Sequence, residues 1–144
     1  MKTRYRVLLV LACVWLFAML ATLPELIAVW PERAVVRRTF SNYSDALVNQ
    51  KFEEAYRYDS PEFQERISLD HFVQYQRDIQ AKFGVLRSVK QRGMSVQKWR
   101  NPSRWKASIV ADFEYAKAKV KFTFELHRAE GRWTIFSSSS GEEK

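Results

Sequence analysis

From Lys119 to His127 the chain reads KVKFTFELH, with Val120, Phe122, Phe124 and Leu126 alternating against Lys119, Lys121, Thr123, Glu125 and His127. A period of two sends one set to a buried face and the other to water, which a helix of the same sequence would not do. The same period runs through Trp105, Ala107, Ile109, Ala111 and Phe113, and Trp133 to Ser138 makes a last strand. Ala129, Glu130 and Gly131 mark the turn between the last two strands; Asn101, Pro102 and Ser103 mark one before Trp105. Ser139 to Lys144 reads as a frayed polar tail.

Upstream of Val85 the period is 3.6. Val35, Val36, Phe40, Tyr43, Leu47 and Val48 form an amphipathic face, predicting a helix from Glu32 to about Lys51. A second helical stretch covers about Phe52 to Tyr58 and is broken at Asp59, Ser60 and Pro61, where Pro61 opens a short turn around Phe63 and Ile67. Ser68 reads as the N-cap of a third helix that reaches Lys82, with Gly84 ending it. Helices followed by an antiparallel meander define an α+β fold with the helices packed on one face of the sheet.

Further upstream, Val7 to Leu23 is a run without a charge, followed by Pro24, Glu25 and a second apolar run that closes at Trp30. Arg6 to Trp30 supplies the ~20 residues that cross a ~30 Å hydrocarbon core. Residues 1–31 thus read as a short tail and a transmembrane anchor, 32–139 as the α+β domain and 140–144 as the polar tail. A cleaved signal is disfavoured by the length of the run and its bulky end. A lipoprotein signal at Cys13 is disfavoured by the bulky residues that follow it. Lys2, Arg4 and Arg6 hold the N-terminus in the cytoplasm and place the domain outside it. Cys13 is the single cysteine, so an intramolecular disulfide and a Cys-rich zinc site are excluded.

The order of elements resembles the NTF2-like (cystatin-like cone) superfamily. Leu47 to Tyr56, then Ser60, Pro61, Glu62 and Phe63, then Leu69, Asp70, His71 and Phe72 are similar to small bacterial NTF2-like domains, as is the closing Gly131 to Ile135. The resemblance covers roughly Arg33 to Ser139. It implies a bent sheet wrapped around a helix into a cone whose mouth holds a ligand, an active site or a partner. It also implies, with the anchor, a bacterial inner-membrane protein whose domain is periplasmic, similar to the single-span NTF2-like subunits of secretion systems.

Enzymes of that superfamily place Asp, His and Tyr in the cone, so the candidates here are Tyr43, Tyr56, Asp59, His71, Asp112 and His127. Each has a plainer reading. His127 and Asp112 fall on the polar phase of their strands, Asp59 beside Ser60 and Pro61 reads as a turn or capping residue, and His71 sits in an exposed first turn. No catalytic residue, cofactor or metal is therefore assigned. Tyr56, Phe72, Tyr75, Phe113 and Phe122 would line a cone if one were open, and are otherwise core.

The net charge of +8 is concentrated at the N-terminus and in the stretch from Lys82 to Lys106, which holds eight basic residues and no acidic one. Arg87, Lys90, Arg92, Lys98, Arg100, Arg104 and Lys106, with Trp99 and Trp105 as apolar anchors, fit an acidic partner protein or anionic lipid headgroups. Nucleic acid is disfavoured for a domain outside the cytoplasm, and an exposed strand pair protected from aggregation is the bland account. The reading expected from sequence is a non-enzymatic accessory subunit of a membrane complex. The alternative is a small-molecule binder or degenerate enzyme with a pocket in the cone.

Overall fold

Val36, Phe40, Tyr43, Ala46 and Leu47 are buried at steps of three, four and one, and this stripe fixes which side of helix α1 (residues 29–48) meets the sheet. The computed structural model describes Trp15, residues 29–98 and residues 105–141. The chain divides into two units, Met1–Glu32 and Arg33–Lys144. Of the first, the described residues are helical, and Trp15 and Trp30 are exposed. No helix among the described residues is long and apolar enough to cross a membrane; apart from Trp15, the run from Val7 to Leu23 lies outside them.

In the second unit α1 is followed by α2 (Phe52–Tyr56), α3 (Pro61–Arg66) and α4 (Leu69–Phe83). The expected first helix extends to Lys51, but α1 ends at residue 48. Gln50 takes a left-handed φ of 58°, and Lys51 N and Gln50 N donate to Ala46 O (2.8 Å) and Leu47 O (3.1 Å). That pair of bonds closes the helix as a glycine-type cap without a glycine, which is why no stop signal shows in the sequence there. The second helix likewise stops at Tyr56, two residues short of the expectation. Ser60 and Ser68 cap α3 and α4 by accepting from Phe63 N and His71 N, as serine before a helix should.

The sheet has the order β1 (Leu86–Lys98), β2 (Trp105–Tyr115), β3 (Lys119–Ala129), β4 (Arg132–Gly141), every pair antiparallel. Glu130 and Gly131 both have positive φ, at 50° and 79°, the geometry of a two-residue hairpin turn whose twist matches the strands it joins. β4 runs past the expected end at Ser138: Ser139, Ser140 and Gly141 pair with Thr123, Phe122 and Lys121. The polar tail from residue 140 therefore begins inside a strand. A serine run has no apolar alternation to announce a strand, and the ladder offered by β3 decides it. The turn at Asn101 to Ser103 lies outside the described residues.

The buried face of the sheet meets α1 at Phe124, whose ring lies 5.1 Å from Phe40, 5.8 Å from Tyr43 and 5.6 Å from Phe113. Burial of each such side chain contributes about 1.5–3 kcal/mol. The opposite face carries ion pairs: Arg92 with Asp112 at 2.5 Å, and Lys106 with Glu125 at 2.7 Å.

Candidate functional site

The loop between α2 and α3 is tied to β4 by its backbone. Ile135 N donates to Tyr58 O and Ser60 N donates to Ile135 O, both at 2.8 Å, so Asp59 forms a short parallel bridge with Ile135. A second clamp comes from side chains. Gln64 Nε2 donates to Tyr56 O at 2.8 Å and Asp59 O at 3.2 Å, and the Tyr56 hydroxyl donates to Ile67 O at 2.6 Å. Because Ser60 and Pro61 already supply the cap and first residue of α3, Asp59 has no capping duty, and the bridge turns its side chain inward.

Asp59 is 3% exposed, and its Oδ2 is buried without a hydrogen-bond partner. Burial strips water from the carboxylate and pushes its pKa up to about 8, so it is mainly protonated at neutral pH. Burial also holds the Tyr43 hydroxyl well above its ordinary range, with Asp59, Tyr115 and Tyr75 adding to the effect. Tyr115 is pushed up to about 12, again by burial first and then by Tyr75. Tyr43 thus lies within electrostatic reach of Asp59, Tyr75 and Tyr115, and Tyr115 of Tyr75.

Asp59 and Tyr43 open into a cavity of about 610 Å3. α3 contributes Phe63 and Arg66 to its wall, its C-cap contributes Ile67, α4 contributes His71, Phe72, Tyr75 and Gln76, and β4 contributes Ile135 to Ser138. A register shift opposite Glu125 and Leu126 leaves Phe136 without a partner across the ladder. Its ring stacks on His127 at 4.2 Å, and the Arg66 guanidinium lies 5.8 Å from the Phe136 ring centre. Cationic Arg66 and titratable His71 line the same cavity as Asp59 and the aromatic rings. A protonated carboxyl offers one O–H donor and retains acceptor capacity, which suits a carbonyl, ether or hydroxyl oxygen on an otherwise apolar molecule.

The sequence candidates scatter against this geometry. Tyr43 and Asp59 belong to the cavity, and the reading of Asp59 as a turn or capping residue is corrected: Ser60 caps, and Asp59 faces inward. His71 is exposed as expected, yet lines the cavity, with Nδ1 3.2 Å from Ser68 Oγ. Asp112 lies on the outer face but is 7% exposed, because Arg92 and Lys119 close over it; the Arg92 hydrogen bond holds its carboxyl below the usual range. His127 is half-buried between Phe136 and Glu125, to which Nε2 bonds at 2.7 Å. Of the expected pocket aromatics, Phe72 and Tyr75 line the cavity. Tyr56 instead packs 5.5 Å from Phe72, and Phe113 and Phe122 pair at 4.8 Å in the aromatic core. Phe63, Arg66, Ile67, Gln76 and the β4 residues carry no local signal and were found only by the fold.

The basic run is divided by its register. Lys90 pairs with Asp112 and so shares the outer face, whereas Lys98 pairs with Trp105 on the alternate phase, its Nζ 5.8 Å from the Trp105 ring. Arg92 and Lys106 are held by carboxylates, Arg87, Lys90 and Lys98 are exposed, and Trp99, Arg100 and Arg104 lie outside the described residues. A further hollow of about 660 Å3 is lined by Lys51, Glu53, Glu54, Arg57 and Arg77 among others. Its walls are mostly exposed side chains of mixed charge with no buried polar group facing it, so the Asp59 cavity is the better candidate. Among the described residues no group of three or more His, Cys, Asp or Glu is placed to hold a metal ion.

Fold and site define a small α+β domain with an aromatic-walled cavity and a buried acid. No family model and no curated protein matches the chain. Among solved structures it is similar to Aln2 from a Streptomyces species, with a TM-score of 0.57 at 10% identity over 76% of this chain and 89% of that one, a likeness of fold alone. A SEC-C motif containing protein from Rhodopseudomonas palustris matches at a TM-score of 0.46 and 16% identity over 68% of this chain and 72% of that one, too little to carry an argument.

Proposed function

We propose that the chain is a membrane-tethered NTF2-like domain that binds a small, largely apolar molecule bearing an oxygen acceptor or hydroxyl. The observation that carries the reading is the cavity of about 610 Å3 whose wall includes Asp59, a residue with a buried and unpartnered carboxyl oxygen. A buried polar group without a partner costs about 1–3 kcal/mol, and a ligand oxygen would recover that cost. The exposed ring of Tyr75 on the cavity wall is apolar surface that a ligand would cover. The order of helices and strands supports the NTF2-like assignment, and the apolar run from Val7 supports the tether.

The test is to purify the full chain from its native membrane in mild detergent and analyse extracted small molecules by mass spectrometry. Wild type is compared with Ser138→Trp, which places an indole at the cavity wall from an exposed position. The expected result is a bound compound present in wild type and depleted in Ser138→Trp. Wild-type protein free of any compound, with no thermal shift against a panel of lipophilic ketones and alcohols, would sink the reading.

A further inference from the structure

A separate cleft of about 460 Å3 lies between α1 and β1, lined by Arg33, Arg37, Gln91, Arg92, Gly93 and Met94. Arg33 and Arg37 are four residues apart on a helix, which stacks two like charges on one face, an arrangement that opposes helix formation unless an anion lies between them. Neither has an ion-pair or hydrogen-bond partner among the described residues. Opposite them, a register shift between Gln91 and Gly93 leaves Arg92 outside the β1–β2 pairing. Bulges of this kind re-aim a side chain. Asp112 holds the Nε edge of Arg92 at 2.5 Å and so fixes the plane of its guanidinium. That same carboxylate also faces Lys119 at 3.9 Å, so the cleft keeps a surplus of positive charge.

We propose that Arg33, Arg37 and Arg92 bind the phosphate of an anionic membrane-lipid headgroup. Guanidinium forks match phosphate oxygens two at a time, and three of them on one cleft exceed what a single carboxylate can neutralise. The lipid source follows from the sequence: Arg33 comes three residues after Trp30, which closes the apolar run, so this clause rests on the tether reading above. Cationic side chains at the end of a membrane segment meet headgroups first.

The full chain in detergent is titrated with short-chain phosphatidylglycerol, phosphatidylcholine and inorganic phosphate, and bound lipid is counted by native mass spectrometry. Arg33→Gln/Arg37→Gln should weaken phosphatidylglycerol binding roughly tenfold, the scale of losing charge-assisted bonds, while Arg87→Gln/Lys90→Gln, with the same charge loss, leaves it unchanged. Equal weakening by both pairs, or none by either, overturns the site. Inorganic phosphate displacing the lipid at equal concentration overturns the lipid assignment. Flotation of the chain with vesicles of phosphatidylcholine alone tests the tether by itself: a chain that fails to float loses the tether, whatever the arginine variants do. Both arginines are exposed, and matching thermal unfolding of the two double variants shows that each retains the fold.

Discussion

Asp59 carries an unfavourable arrangement that the rest of the domain sustains. Its carboxyl ionises at about 8 in the fold against 3.8 in the open chain. The unfolded state therefore releases a proton that the folded state keeps, and stability is fully present below pH 3.8, falls as pH rises and levels off above about 8. The slope is about 1.4 kcal/mol per pH unit. Asp112 and Glu125 act in the opposite sense: Arg92 and Lys106 hold their carboxyls low, and that support is lost as acid protonates them. Asp59→Asn should remove the decline between pH 4 and 8 and stabilise the domain at pH 7 by on the order of 4 kcal/mol. Urea unfolding of both proteins at pH 5, 7 and 8 checks this, and parallel curves for the two would refute it. Sequence placed Asp59 among the candidates but favoured a turn or capping role; once Ser60 and Pro61 serve α3, an adjacent Asp has no such local task. Its burial could not be read there, because the bridge to Ile135 joins residues 76 apart.

Among the elements, the joint between α4 and the hairpin of β2 and β3 is closely packed at Gly84. Gly84 has a φ of +84°, and a Cβ built there would lie 2.7 Å from Ala116 Cβ. Ala116 N and Lys117 N donate to Val85 O (3.0 Å) and Phe83 O (2.9 Å), so the two segments cannot move apart without losing both bonds. Gly84→Ala should cost roughly 2–4 kcal/mol, the sum of a forbidden backbone region and an overpacked contact. A chemical-denaturation midpoint measures it; a cost below that of an ordinary surface substitution would show that the joint yields. The glycine was legible as the end of a helix, because that reading needs only local sequence. Its second role, close approach to Ala116, belongs to tertiary packing.

At the scale of the molecule, two faces compete for the functional reading. The cavity is favoured by a buried, unsatisfied acid. The accessory-subunit reading keeps one observation in its support: β1 is an edge strand that presents exposed Arg87, Lys90 and Lys98. If an acidic partner pairs with that edge, Arg87→Glu/Lys90→Glu/Lys98→Glu abolishes its co-purification from native membrane while leaving small-molecule content unchanged. Loss of the small molecule without change in co-purified proteins is the outcome expected of Ser138→Trp. The two sets of variants therefore separate the readings.

Local sequence was enough for the α+β class, the helix cap at Ser68, the stop at Gly84 and the period-two strands, because each follows from neighbours within a few residues. It also marked the apolar run from Val7 and the concentration of basic charge. Tertiary packing settled that Asp59 faces inward, that Arg92 and Lys106 have carboxylate partners whereas, among the described residues, Arg33 and Arg37 have none, and that a serine run extends β4. Those outcomes depend on which strand lies beside which and on a one-residue shift of register. Such a shift moves a side chain to the other face, and no local pattern records it.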